Sequence, residues 1–213
     1  MLRGSENRFP NENGIVRVQT LYGPAFKLRR EFVVNPIIEL QELVSLFPEP
    51  EGQPLYLTAE HVAKEATPEP YRQMLVHELH MTVTMEAFHK CAVEVIVIDQ
   101  RFENDLYLRR SLLRKKGTDR IVQLGYVRFN FEYVTECVKK EILAGVIPLG
   151  RVLIQHNVLR HVDLGAIIRF TAGPGLFRTL QMTEGQVTYG RMATIFCNGA
   201  PAIDLLEISA PLD

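Results

Sequence analysis

Apolar and polar positions alternate with two different periods along this chain. Residues 34–46 (VNPIIELQELVSL) carry apolar side chains at helical spacing, which predicts a short helix. Residues 47–54 (FPEPEGQP) hold three prolines and a glycine and read as a loop. A second proline-rich break, ATPEPY, ends at Tyr71. Residues 71–88 place Met74, Leu75, Leu79, Thr82 and Met85 near one face, just after a proline, and predict one continuous helix. Residues 91–99 are dense in Val and Ile and predict a strand. Residues 107–114 and 120–129 are strand-like runs around a Lys115–Asp119 turn, the pattern of a β-hairpin. Residues 131–143 read as a helix closed by Gly145, and residues 151–158 as either a helical turn or a strand. Strand-like runs follow at 166–170, 188–197 and 203–208, the last two joined by Asn198-Gly199, a strong hairpin signal. Clustered antiparallel strands with helices between them predict an α+β fold, a sheet with helices covering one side.

Composition narrows the class. The 213 residues are 46% hydrophobic and 23% charged, as in an ordinary globular protein of one domain or a domain with an arm. We expect an N-terminal arm over residues 1–70, frayed over its first dozen residues, with the short helix packed on the core, and a main domain over 71–213. Lys plus Arg is 24 and Asp plus Glu is 25, so no broad field draws the chain to nucleic acid or anionic lipid. Residues 1–70 carry no basic helix-turn-helix pattern. Neither a signal-peptide core nor a run of membrane-spanning length is read, and a cytoplasmic location is expected. The three cysteines, Cys91, Cys137 and Cys197, are too few and too scattered for a disulfide framework and are expected to be small buried apolar residues.

Several chemistries fail on spacing. His77-Glu78-Leu79-His80 sets its histidines at i and i+3, where the HExxH zinc motif needs i and i+4. Gly173-Pro174-Gly175 lacks the third glycine of a dinucleotide loop and is read as a turn. No P-loop lysine motif or GxSxG elbow occurs. No metal or other cofactor is expected. In the basic cluster Arg109, Arg110, Arg114, Lys115 and Lys116, most members suit the outer face and tip of a hairpin. In an extended strand Arg109 shares a face with Tyr107, Ser111 and Leu113; parity alone leaves open which face is inside. Glu207 shares parity with Ile203 and Leu205, and an inward carboxylate among apolar residues needs a partner or a function. Asp204, three residues earlier, faces the opposite side of a regular strand, so only one of the two acids can point inward.

Three ordered blocks carry a family resemblance over residues 71–211: Tyr107-Leu108-Arg109-Arg110-Ser111-Leu112-Leu113; Ile147-Pro148-Leu149-Gly150-Arg151-Val152-Leu153; and Tyr189-Gly190-Arg191 followed by Leu206-Glu207-Ile208-Ser209-Ala210-Pro211. Met81-Thr82 forms a weaker fourth. In these the chain resembles chorismate lyase and its relatives, whose fold is shared with the UTRA-like effector domains of some bacterial transcription regulators. The resemblance implies a cofactor-free carbon–oxygen lyase that splits chorismate into 4-hydroxybenzoate and pyruvate. The alternative is a non-catalytic binding module for an aromatic or other small carboxylate. The resemblance also implies that Arg109 grips the ring carboxylate and that the Leu149 backbone N–H helps hold it. Gly150 would let the backbone approach, Glu207 would work at the hydroxyl end, and Val97 would line the pocket. Arg109 and Glu207 would be the catalytic pair, in a monomer or weak homo-oligomer.

Overall fold

The computed structural model describes residues 35–212. The frayed segment expected at residues 1–12 lies outside the described residues. Helix α1 (Pro36–Ser45) starts where predicted: the Asn35 side chain accepts from the Ile37 N–H at 3.0 Å, and Pro36 opens the first turn, where no intrahelical N–H is needed. Strand β1 (Tyr56–Val62) follows the proline loop. Then come α2 (Tyr71–Leu75), α3 (Met81–His89), β2 (Val93–Glu103), β3 (Leu106–Lys115) and β4 (Ile121–Phe129). Helices α4 (Glu136–Ala144) and α5 (Leu149–Gln155) precede β5 (Arg160–Ala172), α6 (Pro174–Leu180), β6 (Val187–Cys197) and β7 (Ala200–Ser209).

The seven strands form one antiparallel sheet in the order β1-β5-β6-β7-β4-β3-β2. The expected α+β fold, an antiparallel sheet with a helical layer on one face, is the fold found. That layer is α2 to α5. Met74, Met81 and Met85 pack with Leu113 and Ile167, while Val138, Ile142, Val152 and Leu153 pack with Phe129, Ile195 and Leu205. The other face is also packed: Leu40, Leu43 and Phe47 after α1, with Leu176 and Leu180 of α6, cover Leu108, Leu124, Ile168, Phe170 and Leu206. Residues 35–70 thus contribute α1 to this second layer and β1 to the sheet edge, hydrogen-bonded to β5.

Turn chemistry sets the hairpins. Asn198 and Gly199 have φ of 53° and 85°, the two positive values that match a tight turn to strand twist. Asn104 and Asp105, at 48° and 65°, do the same between β2 and β3, so β2 runs past the expected Asp99 to Glu103. Asn and Asp enter this region more readily than most side chains. Helix α4 begins later than expected, at Glu136, because the Thr135 hydroxyl caps Val138 N at 3.4 Å; Gly145 at φ 65° ends it. Residues 149–155 resolve as a helix. Pro174 opens α6 rather than a turn. Of the cysteines only Cys197 is buried; Cys91 is half-buried and Cys137 is exposed on α4, because cysteine spacing says nothing about which helix face meets the sheet.

The single helix expected over residues 71–88 is broken at Val76–His80. The break has a physical partner. Arg191 on β6 is 1% exposed, and its guanidinium donates to the carbonyls of His77 and Leu79, each at 2.9 Å, and to His77 Nδ1 at 3.2 Å. Its Nε donates to Glu207 Oε2 at 2.7 Å. Two carbonyls that a continuous helix would spend internally are thus turned onto a buried cation. Removing one partner of a buried pair costs about 3–5 kcal/mol. Arg191→Leu is therefore expected to lower unfolding free energy by roughly that amount in urea titrations. Arg191→Leu combined with Glu207→Leu should recover part of the loss.

Candidate functional site

The face of the sheet beneath α2 to α5 is built by strand alternation. On β3 it presents Tyr107, Arg109, Ser111 and Leu113. Across the β3–β4 register, Arg109 lies opposite Val127, Ser111 opposite Gly125 and Leu113 opposite Gln123. Across β4–β7, Gly125 lies opposite Glu207 and Val127 opposite Leu205; across β6–β7, Arg191 lies opposite Glu207. All of these except Tyr107 line a cavity of about 60 Å³, covered by His80, Met81 and Thr82 and by Pro148, Leu149 and Gly150.

Arg109 is 2% exposed, yet among the described residues no carboxylate pairs with it, and its Nε and Nη1 have no hydrogen-bond partner. Burial pushes its pKa down, and the Tyr107 phenol beside it acts the other way. The Tyr107 hydroxyl itself donates to Gln100 Oε1 at 2.8 Å. Other arginines of the sheet behave differently. Arg110 meets Glu49 at 2.5 Å and Arg114 meets Glu94 at 3.0 Å. A buried guanidinium without an anion is unfavourable until something supplies one.

Glu207 faces the cavity, with its side chain 14% exposed and tied to Arg191. Asp204 points to the opposite face, where Arg128 Nη2 donates to it at 2.7 Å and Thr194 at 3.2 Å. That settles the parity question between the two acids. Leu149 and Gly150 line the cavity at the start of α5. The close approach at Gly150 is to the protein itself: a Cβ there would stand 3.0–3.1 Å from the His80 ring. Val97 is not among the lining residues. A bulge between Val97 and Asp99 shifts the register, and Val97 packs against Gly145 instead. Arg151 pairs with Glu86 of α3, tying the two covering helices together.

Two lining residues escaped the sequence reading. Gln123 is 4% exposed, and its Oε1 is buried without a partner. Its signal was present: a glutamine sharing parity with Gly125 and Val127 in a strand that is otherwise almost wholly apolar. His80 is the other. Arg160 Nε donates to its Nε2 at 2.8 Å, so the ring proton belongs on Nδ1. Burial, then Arg160 and Arg191, push its pKa down to about 4 and keep it neutral near pH 7. His77 likewise holds an Nε2–H, donated to the Met74 carbonyl at 2.7 Å, while Nδ1 accepts from Leu79 N–H at 3.1 Å. Both histidines of the His77–His80 run are therefore engaged with arginines and backbone. Among the described residues no helix is long and apolar enough to cross a membrane.

No family model matches the chain, and no curated protein matches it. Among solved structures it is similar to a possible transcriptional regulator, YydK, from Bacillus subtilis, at 9% identity and a TM-score of 0.42 over 56% of this chain and 57% of that one. It is also similar to gene product SA0254 from Staphylococcus aureus, at 11% identity and a TM-score of 0.43 over 55% of this chain and 82% of that one. The C-terminal domain of Yurk from Bacillus subtilis is similar at 12% identity and a TM-score of 0.37, over 57% of this chain and 89% of that domain. The chain thus spans little more than half the length of the first of these, and all three likenesses are distant and partial.

Proposed function

We propose that this chain binds a small carboxylate of the aromatic class, with Arg109 as its anchor. The buried guanidinium with two unpartnered nitrogens carries the reading. A carboxylate matches an arginine fork bidentately and would neutralise it. The Leu149 N–H, at the first position of α5, has no intrahelical acceptor and would be a second donor. Gly150 permits the close packing that brings α5 over the cavity. The space of about 60 Å³ is smaller than the cavity of about 150 Å³ in which benzene is known to bind, so a ring needs more room than this arrangement offers.

The finer reading is chorismate lyase activity. There the ether C–O bond to the ring breaks, the hydroxyl-bearing ring carbon gives up a proton, and the departing enolpyruvyl group takes one up to become pyruvate, the proton passing within the substrate or through Glu207. No external oxidant or cofactor is consumed, so the protein's work is positioning and charge stabilisation. Arg109 would hold the ring carboxylate and Glu207 would act at the hydroxyl-bearing carbon. One observation favours the alternative, binding without turnover: Glu207 already spends Oε2 on Arg191.

Incubating the protein with chorismate, and measuring pyruvate and 4-hydroxybenzoate, separates the two. Thermal stabilisation by 4-hydroxybenzoate without pyruvate release would establish binding alone, and neither response from folded protein would remove both. Arg109→Met should abolish the ligand response and at the same time raise stability by about 1–3 kcal/mol, because it removes an uncompensated buried charge. A residue kept for structure would lose stability instead. Gly125→Ala gives an independent check. A Cβ there meets its neighbours at 3.7–3.9 Å, ordinary contact, so folding should be unchanged while the methyl occupies the cavity floor. Carboxylate affinity should fall at least tenfold in calorimetric titration, the effect of roughly 1.4 kcal/mol.

His80 adds a pH dependence. Its ordinary pKa of 6.5 falls to about 4 in the folded chain, so between these values the unfolded chain binds more protons. Its contribution to stability is complete above pH 6.5 and is lost as the pH falls toward 4, on the order of 2 kcal/mol after allowance for its partial exposure. His77 and His89 are shifted in the same direction. Urea melts from pH 7.5 to 4 should therefore fall less steeply for His80→Gln than for the unaltered chain, without becoming flat.

A further inference from the structure

The cavity contains a second buried group without a partner, and it lies at the end remote from Arg109. Gln123 and Val127 share the cavity face of β4, and Val127 is the residue opposite Arg109. Four residues of strand, at about 3.3 Å each, separate the two positions by roughly 13 Å. Between them lies Gly125, flanked by Ser111 Oγ at 3.7 Å and Gln123 Nε2 at 3.9 Å from where its Cβ would stand, with Gln123 Oε1 turned behind the nitrogen. With no side chain at Gly125, the floor is open from one orphan group to the other. Glu207 stands over this middle position, opposite Gly125.

The two orphans have opposite chemistry. Arg109 offers N–H donors and a positive charge. Gln123 Oε1 is an acceptor, with the residue 4% exposed and the oxygen fully buried. An amide acceptor sealed from water without a donor is unfavourable, as the unpaired cation is. A single molecule with a carboxylate at one end and a donor at the other would satisfy both. An apolar end would leave Gln123 unpaired in the bound state, and that is the strongest basis on which a site rejects an analogue.

We propose that Gln123 is a specificity-determining residue of this site. A half-turn of its side-chain amide, which breaks no hydrogen bond of Oε1, brings the carbonyl to the cavity, where it reads a hydrogen-bond donor at the end of the ligand remote from the carboxylate. The site therefore takes small carboxylates bearing a hydroxyl or amino group at that end, and discriminates against those ending in methyl. This rests on the carboxylate-binding reading given above.

The test is calorimetric titration of 4-hydroxybenzoate, 4-aminobenzoate and 4-methylbenzoate into the full chain, Gln123→Leu, Gln123→Glu and Arg109→Met. The unaltered protein should prefer the hydroxy and amino acids over the methyl acid by about 10- to 100-fold, the range expected for one unpaired buried group. Gln123→Leu should bring that ratio close to one, mainly by improving the methyl acid. Gln123→Glu, which keeps an acceptor, should retain the preference. Leucine is of similar size and removes the orphan oxygen, so Gln123→Leu should unfold at a denaturant concentration no lower than the unaltered chain. A ratio unchanged by Gln123→Leu, with binding still lost in Arg109→Met, would overturn this inference and leave the carboxylate site standing. No binding of any of the three acids by folded protein would overturn both.

Discussion

The contact between Arg191 and the unwound segment joining α2 to α3 governs how the site is assembled. A guanidinium enclosed between a sheet and a helical layer must be surrounded by acceptors, because burying a bare charge is far more costly than burying a polar group. Here the acceptors are Glu207 on the neighbouring strand and the backbone carbonyls of His77 and Leu79. Meeting that requirement interrupts the helix, and the interruption places His80, Met81 and Thr82 over the sheet as the lid of the cavity. The same bonds orient Glu207. One electrostatic demand thus fixes the cover, the acid and the approach of β6 to the segment between α2 and α3.

The two buried arginines of this face are opposites. Arg191 has its charge matched by Glu207 and its hydrogens matched by carbonyls. Arg109 has neither, and burial presses its pKa down without the opposing carboxylate that would restore it. His80, held neutral beside Arg160 and Arg191, adds no charge to the balance. The positive charge at Arg109 therefore stays uncompensated in a small space largely screened from water, where an incoming anion is attracted more strongly than it would be in water. Local structure tolerates such a group because both faces of the sheet are otherwise well packed: a core of Leu, Ile and Phe side chains beneath α1 and α6 holds the reverse side of β4, β6 and β7.

Space on the cavity face comes from small residues. Ser111 and Gly125 are cross-strand partners at the middle of the floor, and Gly150 lies above it. Their neighbours Tyr107, Leu113, Val127 and Leu205 are large and packed. A hole lined by polar groups and surrounded by a dense core differs from a packing defect in this respect: the residues that leave it open are flanked by donors and acceptors that have no use for one another. Gly190 serves a separate purpose, since a Cβ there would stand 2.8 Å from the Glu207 carbonyl, so it permits the close pairing of β6 with β7 just beside the Arg191–Glu207 contact.

Short-range physics was legible in the chain. Alternation placed Arg109 with Tyr107, Ser111 and Leu113, and the turn at Asn198-Gly199 set the register of the last hairpin; both depend only on neighbouring residues. The arrangement Asn104-Asp105 also turns a hairpin but carries no glycine to announce it, and β1 was hidden by the prolines before it and by its exposed edge position. Which of Asp204 and Glu207 faces inward was undecidable from parity, because a strand with two packed faces is apolar on both. The helix over residues 71–88 was read as continuous because its apolar spacing is continuous; its break depends on Arg191, more than a hundred residues away. The sequence by itself determined the hairpins, most of the helices and which residues share a face, since these follow from local torsions and periodicity. Only the tertiary structure decided which face is enclosed, that Arg191 takes the acid while Arg109 is left without one, and that Gln123 stands at the far end of the same cavity, because burial and pairing are properties of strands brought together from distant parts of the chain.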